Sequence, residues 1–206
     1  MVNKHKSRTG FTLVELLVVI IIIALLSALL LGALRAGGIR AKEDSTRSFV
    51  VQISDSLMEL FEELEDQGFD LDQKKSQIPN TKSLAENSPS NSPFGSTYRS
   101  YATARIGGAD TEAAECLYMI MTKTGYFLDF VESLHEQQVA NTGGGASPEL
   151  IDPWGTAIQV NWERPKINGI EVDLPVIRSA GVDLEFGNDD DIVSIRIIDG
   201  NGIFAQ

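Results

Sequence analysis

Residues 11–34 read FTLVELLVVIIIIALLSALLLGAL, an apolar run broken only by Thr12, Glu15, Ser27 and Gly32. As a helix rising ~1.5 Å per residue, the run spans about 36 Å, enough to cross a ~30 Å hydrocarbon layer with some tilt. A core helix of a soluble protein rarely stays apolar on every side for this length. The β-branched stretch 18–23 would make a mediocre helix in water. In lipid, however, every backbone group must bond within the segment, and a helix satisfies them all. Ahead of the run stand Lys4, Lys6 and Arg8 with no acid among them. They favour a cytoplasmic N-terminus, against the weaker pull of Arg35, Arg40 and Lys42 on the far side. The bulk of the chain is therefore expected outside the cytoplasm.

Glu15 is the anomaly of this run. A carboxylate placed at the centre of a membrane helix costs roughly 2.5–3.5 kcal/mol on insertion scales, so a partner is expected. No basic residue within the run supplies one. A conventional secretory signal, cleaved among the Ala and Gly of residues 28–38, leaves Glu15 without a role. A plain signal anchor leaves it equally unexplained, whereas a second copy of the chain would offer a counter-ion.

The rest of the chain is acidic. Seventeen Lys plus Arg face 29 Asp plus Glu, a formal charge of −12. That balance argues against a protein that works by coating nucleic acid phosphates. The single cysteine, Cys116, excludes an internal disulfide framework and a Cys-rich zinc site. Histidine occurs only at His5 and His135, so a histidine-based hydrolase would rest on one residue of the head, and Cys116 has no base fixed beside it. No enzyme is expected. A length of 206 residues fits one modest domain with an appendage.

Past a soft spot at Gly37-Gly38, apolar residues recur at Ile39, Phe49, Val50, Ile53, Leu57, Leu60, Phe61 and Leu64. From Phe49 they fall in steps of three and four, which predicts an amphipathic helix over 35–67 that ends near Gly68. Its other face carries Glu59, Glu62, Glu63, Glu65 and Asp66, so the stripe should lie on a globular head, with a solvated coiled-coil stalk as the alternative. Residues 68–149 read as a variable insertion. Within it, 70–100 has too little apolar content to pack and is expected as an exposed loop, pinned at its far end by Phe94, Tyr98 and Tyr101. A helix capped by Asp110 should run over 111–123 with Ala113, Leu117, Ile120 and Met121 on one face, and a second over 128–139. The glycines at 143–145 lack the Gly-Lys-Ser/Thr ending of a phosphate loop and read as a connector.

Residues 150–206 change to short strands, at 157–162, 172–178 and 192–198, with turns at 152–155, 167–169 and 199–202. In the last strand Val193, Ile195 and Ile197 share one face. The fold class is α+β: a long N-terminal helix, half membrane-spanning and half amphipathic, packed on a small antiparallel sheet of three or four strands. Between the last two strands Asp183, Glu185, Asp189, Asp190 and Asp191 crowd five carboxylates into one loop with no Lys or Arg among them. Glycines at 181 and 187 would let such a loop turn carbonyls inward, so it is either a solvated acidic turn or a calcium site.

Two of these segments carry a resemblance. The basic leader 1–10, carrying Lys4, Lys6 and Arg8 and closing on Gly10, and then Phe11-Thr12-Leu13-Val14-Glu15 at the head of a membrane-length run resemble the class III signal of type IV pilins and of type II secretion pseudopilins. The resemblance implies the pilin fold and cleavage between Gly10 and Phe11 by a prepilin peptidase that also methylates Phe11. It further implies pairing of Glu15 with the freed amine of a neighbouring subunit in a helical filament. Partners implied are an inner-membrane assembly platform and minor subunits, with the N-terminus cytoplasmic and the head in the periplasm. Asp152-Pro-Trp-Gly155, Ser179-Ala-Gly-x-Asp183 and Asp189-x-Asp191-Ile192 are similar to the C-terminal half of the major pseudopilin, which places calcium on Asp183, Asp189 and Asp191. The usual Asp-Gly step there is Asp183-Leu184 in this chain, and residues 70–147 have no counterpart. Lack of a cysteine pair sets the chain apart from the many pilins that close a C-terminal disulfide loop. The alternative is a membrane-tethered, calcium-dependent adhesin or binding module that does not polymerise.

Overall fold

A computed structural model describes residues 12–89, 92–107, 111–141, 146–167, 169–198 and 201–204. Gly10, Phe11, the Asp110 cap, the glycines at 143–145, Asn168 and the 199–200 turn lie outside the described residues. The chain divides into two units, residues 1–41 and 42–206.

Helix α1, Leu13–Asp66, begins in the first unit and ends in the second. It is unbroken at Gly37-Gly38, where the sequence suggested a soft spot. The stretch in the first unit is long and apolar enough to cross a membrane, and none of it is buried. Its leucines and isoleucines are exposed, from Leu13 to Leu34.

The second unit is built on the amphipathic stretch of α1. Phe49, Val50, Ile53, Leu57, Leu60, Phe61 and Leu64 are all buried, as the three-and-four spacing predicts. Glu59, Glu62, Glu63, Glu65 and Asp66 are exposed on the other side. The helix stops at a left-handed glycine: Gly68 takes φ +83°, its N–H donates to the Glu65 carbonyl (2.9 Å), and Phe69 N–H donates to Leu64 (3.0 Å). Those two bonds are the Schellman pattern, which satisfies carbonyls that a helix end leaves open.

Short helices follow: α2 Leu71–Gln77, α3 Lys82–Glu86, α4 Gly95–Arg105, α5 Glu112–Lys123 and α6 Leu128–Ser133. The expected exposed loop over 70–100 is therefore corrected to three helices. Asp70 and Gln73 form a capping box on α2, and Thr81 caps α3. The segment between those helices is fastened to the head at separate points. Tyr98 Oη donates to Gln77 O (3.1 Å), Trp162 Nε1 to Ile78 O (3.3 Å), and Asn80 Nδ2 to Val160 O (3.0 Å). Ile78, Ala85 and Tyr98 are fully buried, so a few well-placed residues supply the docking that the average composition hides. Helix α5 buries Ala114, Leu117, Ile120 and Met121, with Ala114 in place of the expected Ala113. The predicted helix over 128–139 is shorter: α6 ends at Ser133, and a 3-10 turn, Glu136–Gln138, leads into strand.

Among the described residues nine strands follow: β1 Val139–Ala140, β2 Glu149–Leu150, β3 Gln159–Glu163, β4 Lys166–Ile167, β5 Ile170–Glu171, β6 Leu174–Ser179, β7 Ile192–Val193, β8 Ile195–Ile198 and β9 Asn201–Phe204. Instead of one sheet they make three among the described residues: β1-β2, β3-β6-β7 and β5-β4-β9-β8. All pairs are antiparallel except β4 with β9. The expected single strand over 192–198 changes sheet at Ser194. Ser194 N–H donates to Ile177 O (2.9 Å), while its hydroxyl accepts the Ile177 N–H (3.0 Å). One hydroxyl thus stands in for a ladder carbonyl, and the chain turns there from β6 toward β9. The core joins α1, α4, α5, β3 and β6, with Phe61 against Trp162 (ring centroids 6.0 Å apart) and Phe49 stacked on Phe130 (6.1 Å).

Candidate functional sites

Thr12 and Glu15 open helix α1 together. Thr12 N–H (2.9 Å) and Thr12 Oγ1 (2.8 Å) both donate to Glu15 Oε2, and Glu15 N–H donates back to Thr12 Oγ1 (3.2 Å). Leu16 N–H reaches the Thr12 carbonyl at 3.2 Å, which makes Thr12 the N-cap and Glu15 the third helical residue. This is a reciprocal capping box. A carboxylate at the positive end of a helix is also favoured by the helix dipole. The acid that looked unpartnered in the sequence has a local partner, and the Thr-x-x-Glu spacing was the signal that reveals it. Both donors reach the same oxygen, Oε2.

The second candidate lies at the turn between β6 and β7, where the acidic residues sit. Its base is tied to the Asp152-Pro-Trp-Gly155 turn. Asp152, 1% exposed, accepts Trp154 N–H (3.0 Å) and Thr156 N–H (2.9 Å) on Oδ1, and the Ser179 hydroxyl (2.6 Å) on Oδ2. Lys42 Nζ donates to the Pro153 carbonyl (3.0 Å), binding that turn to helix α1 within the second unit. The loop then folds upon its own backbone. Asp190 Oδ2 accepts Val182 N–H (3.0 Å) and Asp183 N–H (3.2 Å). Asp183 accepts Glu185 N–H (2.8 Å) on one oxygen and Asn188 Nδ2 (2.7 Å) on the other. Asp191 Oδ2 accepts Gly187 N–H (2.9 Å). Gly181 takes φ +70°, and a Cβ there would lie 2.4 Å from the Asp190 carbonyl oxygen, so only glycine fits. Leu184 takes φ +66°, the conformation a glycine would hold. The departure from the Asp-Gly step is thus one of residue type, while the backbone keeps the glycine-like geometry.

Of the three candidate ligands, Asp183 and Asp189 are exposed and Asp191 is buried. No group of three or more His, Cys, Asp or Glu among the described residues is gathered to hold a metal ion. Calcium takes six to eight oxygens. Asp183 has both oxygens engaged, and Asp191 offers one buried oxygen, Oδ1, that no hydrogen bond satisfies. Arg178 also approaches Asp191, Nη1 to Oδ2 3.6 Å, and its other nitrogen, Nη2, bonds Glu163 Oε1. As they stand, these side chains do not make a calcium donor set. The sequence patterns contain Asp152, Ser179 and Asp190 without showing that they hold the loop, and Arg178 stands in none of them. Of these only Asp152 carried a local signal, an Asp two residues before a turn amide it can accept.

Cys116 is buried, and its thiol pKa is pushed up by burial first and then by Glu112 and Glu115. That environment is the opposite of the one that activates a nucleophilic thiolate. His135 is exposed at the start of the 3-10 turn.

Residues 5–31 match the model of a prokaryotic N-terminal methylation motif. No match is found among curated proteins or among solved structures. The chain therefore carries the class III signal of type IV pilins, followed by an apolar helix of membrane-anchoring length and an α+β head. That motif marks the chain as a prepilin peptidase substrate of the pilin-assembly type.

Proposed function

We propose that this chain is a structural subunit of a filament of the type II secretion pseudopilus or type IV pilus kind, and that it is not an enzyme. The observation that carries the reading is the motif at 5–31 with a carboxylate inside the apolar run. Cleavage after Gly10 would free the Phe11 amine, next to the Thr12–Glu15 box. Thr12 uses Oε2 of Glu15, so Oε1 remains for a donor from another chain, here the methylated amine of a neighbouring Phe11. That charge-assisted contact gives Glu15 a partner available only after processing, which couples leader removal to register in the filament. The exposed leucines and isoleucines of residues 13–34 would then pack against the same segment of other copies. On this reading the head lies in the periplasm and the leader in the cytoplasm, consistent with Lys4, Lys6 and Arg8.

Processing and assembly are tested together. The N-terminal peptide of the protein from native membranes is expected to have the mass of one beginning at N-methyl-Phe11, and Glu15→Ala is expected to stay processed yet fail to enter sheared or sedimented filaments. An intact leader would refute the processing claim. Normal filament entry by the Ala variant would remove the assembly role of Glu15, and processed protein that never polymerises would favour a tethered binding module.

A further inference from the structure

We propose that Arg178 is the built-in cation of the acidic loop and that the head orders this loop without a divalent metal. Arg178 lies next to last in β6, and Asp191 directly precedes β7, so the two stand at opposite ends of the same connection. Arg178 is paired across the ladder with Val193 and reaches Asp191 at the loop base, with Nη1 3.6 Å from Oδ2. Nη2 holds Glu163 on β3. One guanidinium thus joins three segments, and its planar fork suits two carboxylates at once. Tying the two ends of an acidic turn is the task a calcium ion would perform in this place.

The donor set agrees. The side chain of Asp191 is 5% exposed, and Arg178 is the only cation paired with it among the described residues. A buried carboxylate needs such a charge. A dication on the same carboxylate would stand close to the guanidinium, whose repulsion would offset part of its attraction to the loop acids. The loop acids also cap backbone amides: Asp190 those of Val182 and Asp183, Asp183 that of Glu185, and Asp191 that of Gly187. Asn188, which donates to both Asp183 Oδ2 and Glu185 O (3.0 Å), closes the tip by a neutral bond. Glu185 and Asp189 are left at the surface, where water screens them.

Thermal melting of the full chain in detergent tests it, with calcium, with magnesium and with chelator. The melting temperature is expected to be the same in all three. A metal held only by the folded head at a hundred times its Kd would raise it by roughly 5–10 °C, and a saturable rise specific to calcium would overturn the proposal. Arg178→Gln is expected to lower the melting temperature by roughly 4–8 °C, and Asp191→Asn in that background to recover part of the loss, because the uncompensated charge has gone. Purely additive losses in the double variant would also count against it. The calcium titration needs no variant and decides the question even if Arg178→Gln does not fold.

Discussion

Leu25 and Leu57 lie on the same helix, the first 62% exposed and the second fully buried. The residue is the same and so is the backbone; what differs is the ring of neighbours. Around Leu25 every side of the helix is apolar from residue 16 to residue 26, so no face is marked out for water. Around Leu57 the exposed Asp55, Glu59 and Glu62 hold one face in solvent and leave a narrow stripe to pack on α4, α5 and β3. A stripe specifies a protein core. A full cylinder specifies an apolar surrounding, either lipid or the equivalent helices of other copies.

Substitution at the two leucines is the strongest way to break this contrast. Leu57→Ala should destabilise the head by about 2–5 kcal/mol, whereas Leu25→Ala should change its unfolding by less than about 0.5 kcal/mol. Urea titration of the full chain in detergent reads both, since the two tryptophans, Trp154 and Trp162, report on the head. Equal losses would mean that the apolar segment also belongs to the folded core.

The next effect lies at the turn that anchors the acidic loop. Asp152→Ala removes the acceptor of three donors, including the Ser179 hydroxyl, and should cost about 2–3 kcal/mol. Asp152→Asn, which keeps a carbonyl for the two amides, should cost less. A cost no larger than that of a surface substitution would show that the turn and β6 are not joined through this carboxylate.

Gly181 and Gly169 separate close approach from backbone preference. Both have positive φ, but only at Gly181 would a Cβ strike another residue. Gly181→Ala should cost about 2–3 kcal/mol and Gly169→Ala about 1–2 kcal/mol, read by the same titration. Matching values would place Asp190 farther from Gly181 than the structure does.

The smallest effect is a pH dependence. Asp173 is held below the ordinary carboxyl range by its hydrogen bonds from Arg164 and then from Lys75, which lies 3.1 Å away. A depressed folded value means the contribution is complete above the unfolded pKa of about 3.9 and is lost as pH falls below about 4 through the lower folded value. Exposure of Arg164 keeps the effect small. Melting curves between pH 5 and pH 2 should show a shallower acid loss in Asp173→Asn than in the unaltered chain.

Periodicity made the buried stripe of α1 legible, because which residues share a helix face depends on helix geometry alone. The motif at 5–31 was legible for the same reason, being local and fixed in register. The Thr12–Glu15 box was present as a spacing, yet a search for a charged partner looks past a hydroxyl and an amide. Residues 70–100 were not legible, since their packing rests on single residues such as Ile78 and Tyr98, whose partners lie far along the chain. The split of the last strand was equally hidden, because it depends on where Ile177 stands when Ser194 arrives.

The acidic loop divides most clearly. Its five carboxylates are a fact of the sequence, and with them a demand for compensating charge. Maturation at Gly10 would sharpen that demand by removing three basic side chains and taking the formal charge from −12 to −15. Which group answers is a tertiary matter. Arg178 precedes Asp191 by thirteen positions, and Glu163 precedes Arg178 by fifteen, so no local spacing links them. Only the antiparallel pairing of β3 with β6 and of β6 with β7 brings those side chains to one place. Sequence determines what a segment can tolerate, through polarity and period. The fold decides which distant group it meets, because chain entropy lets remote residues stay together only where a packed core already holds their backbones.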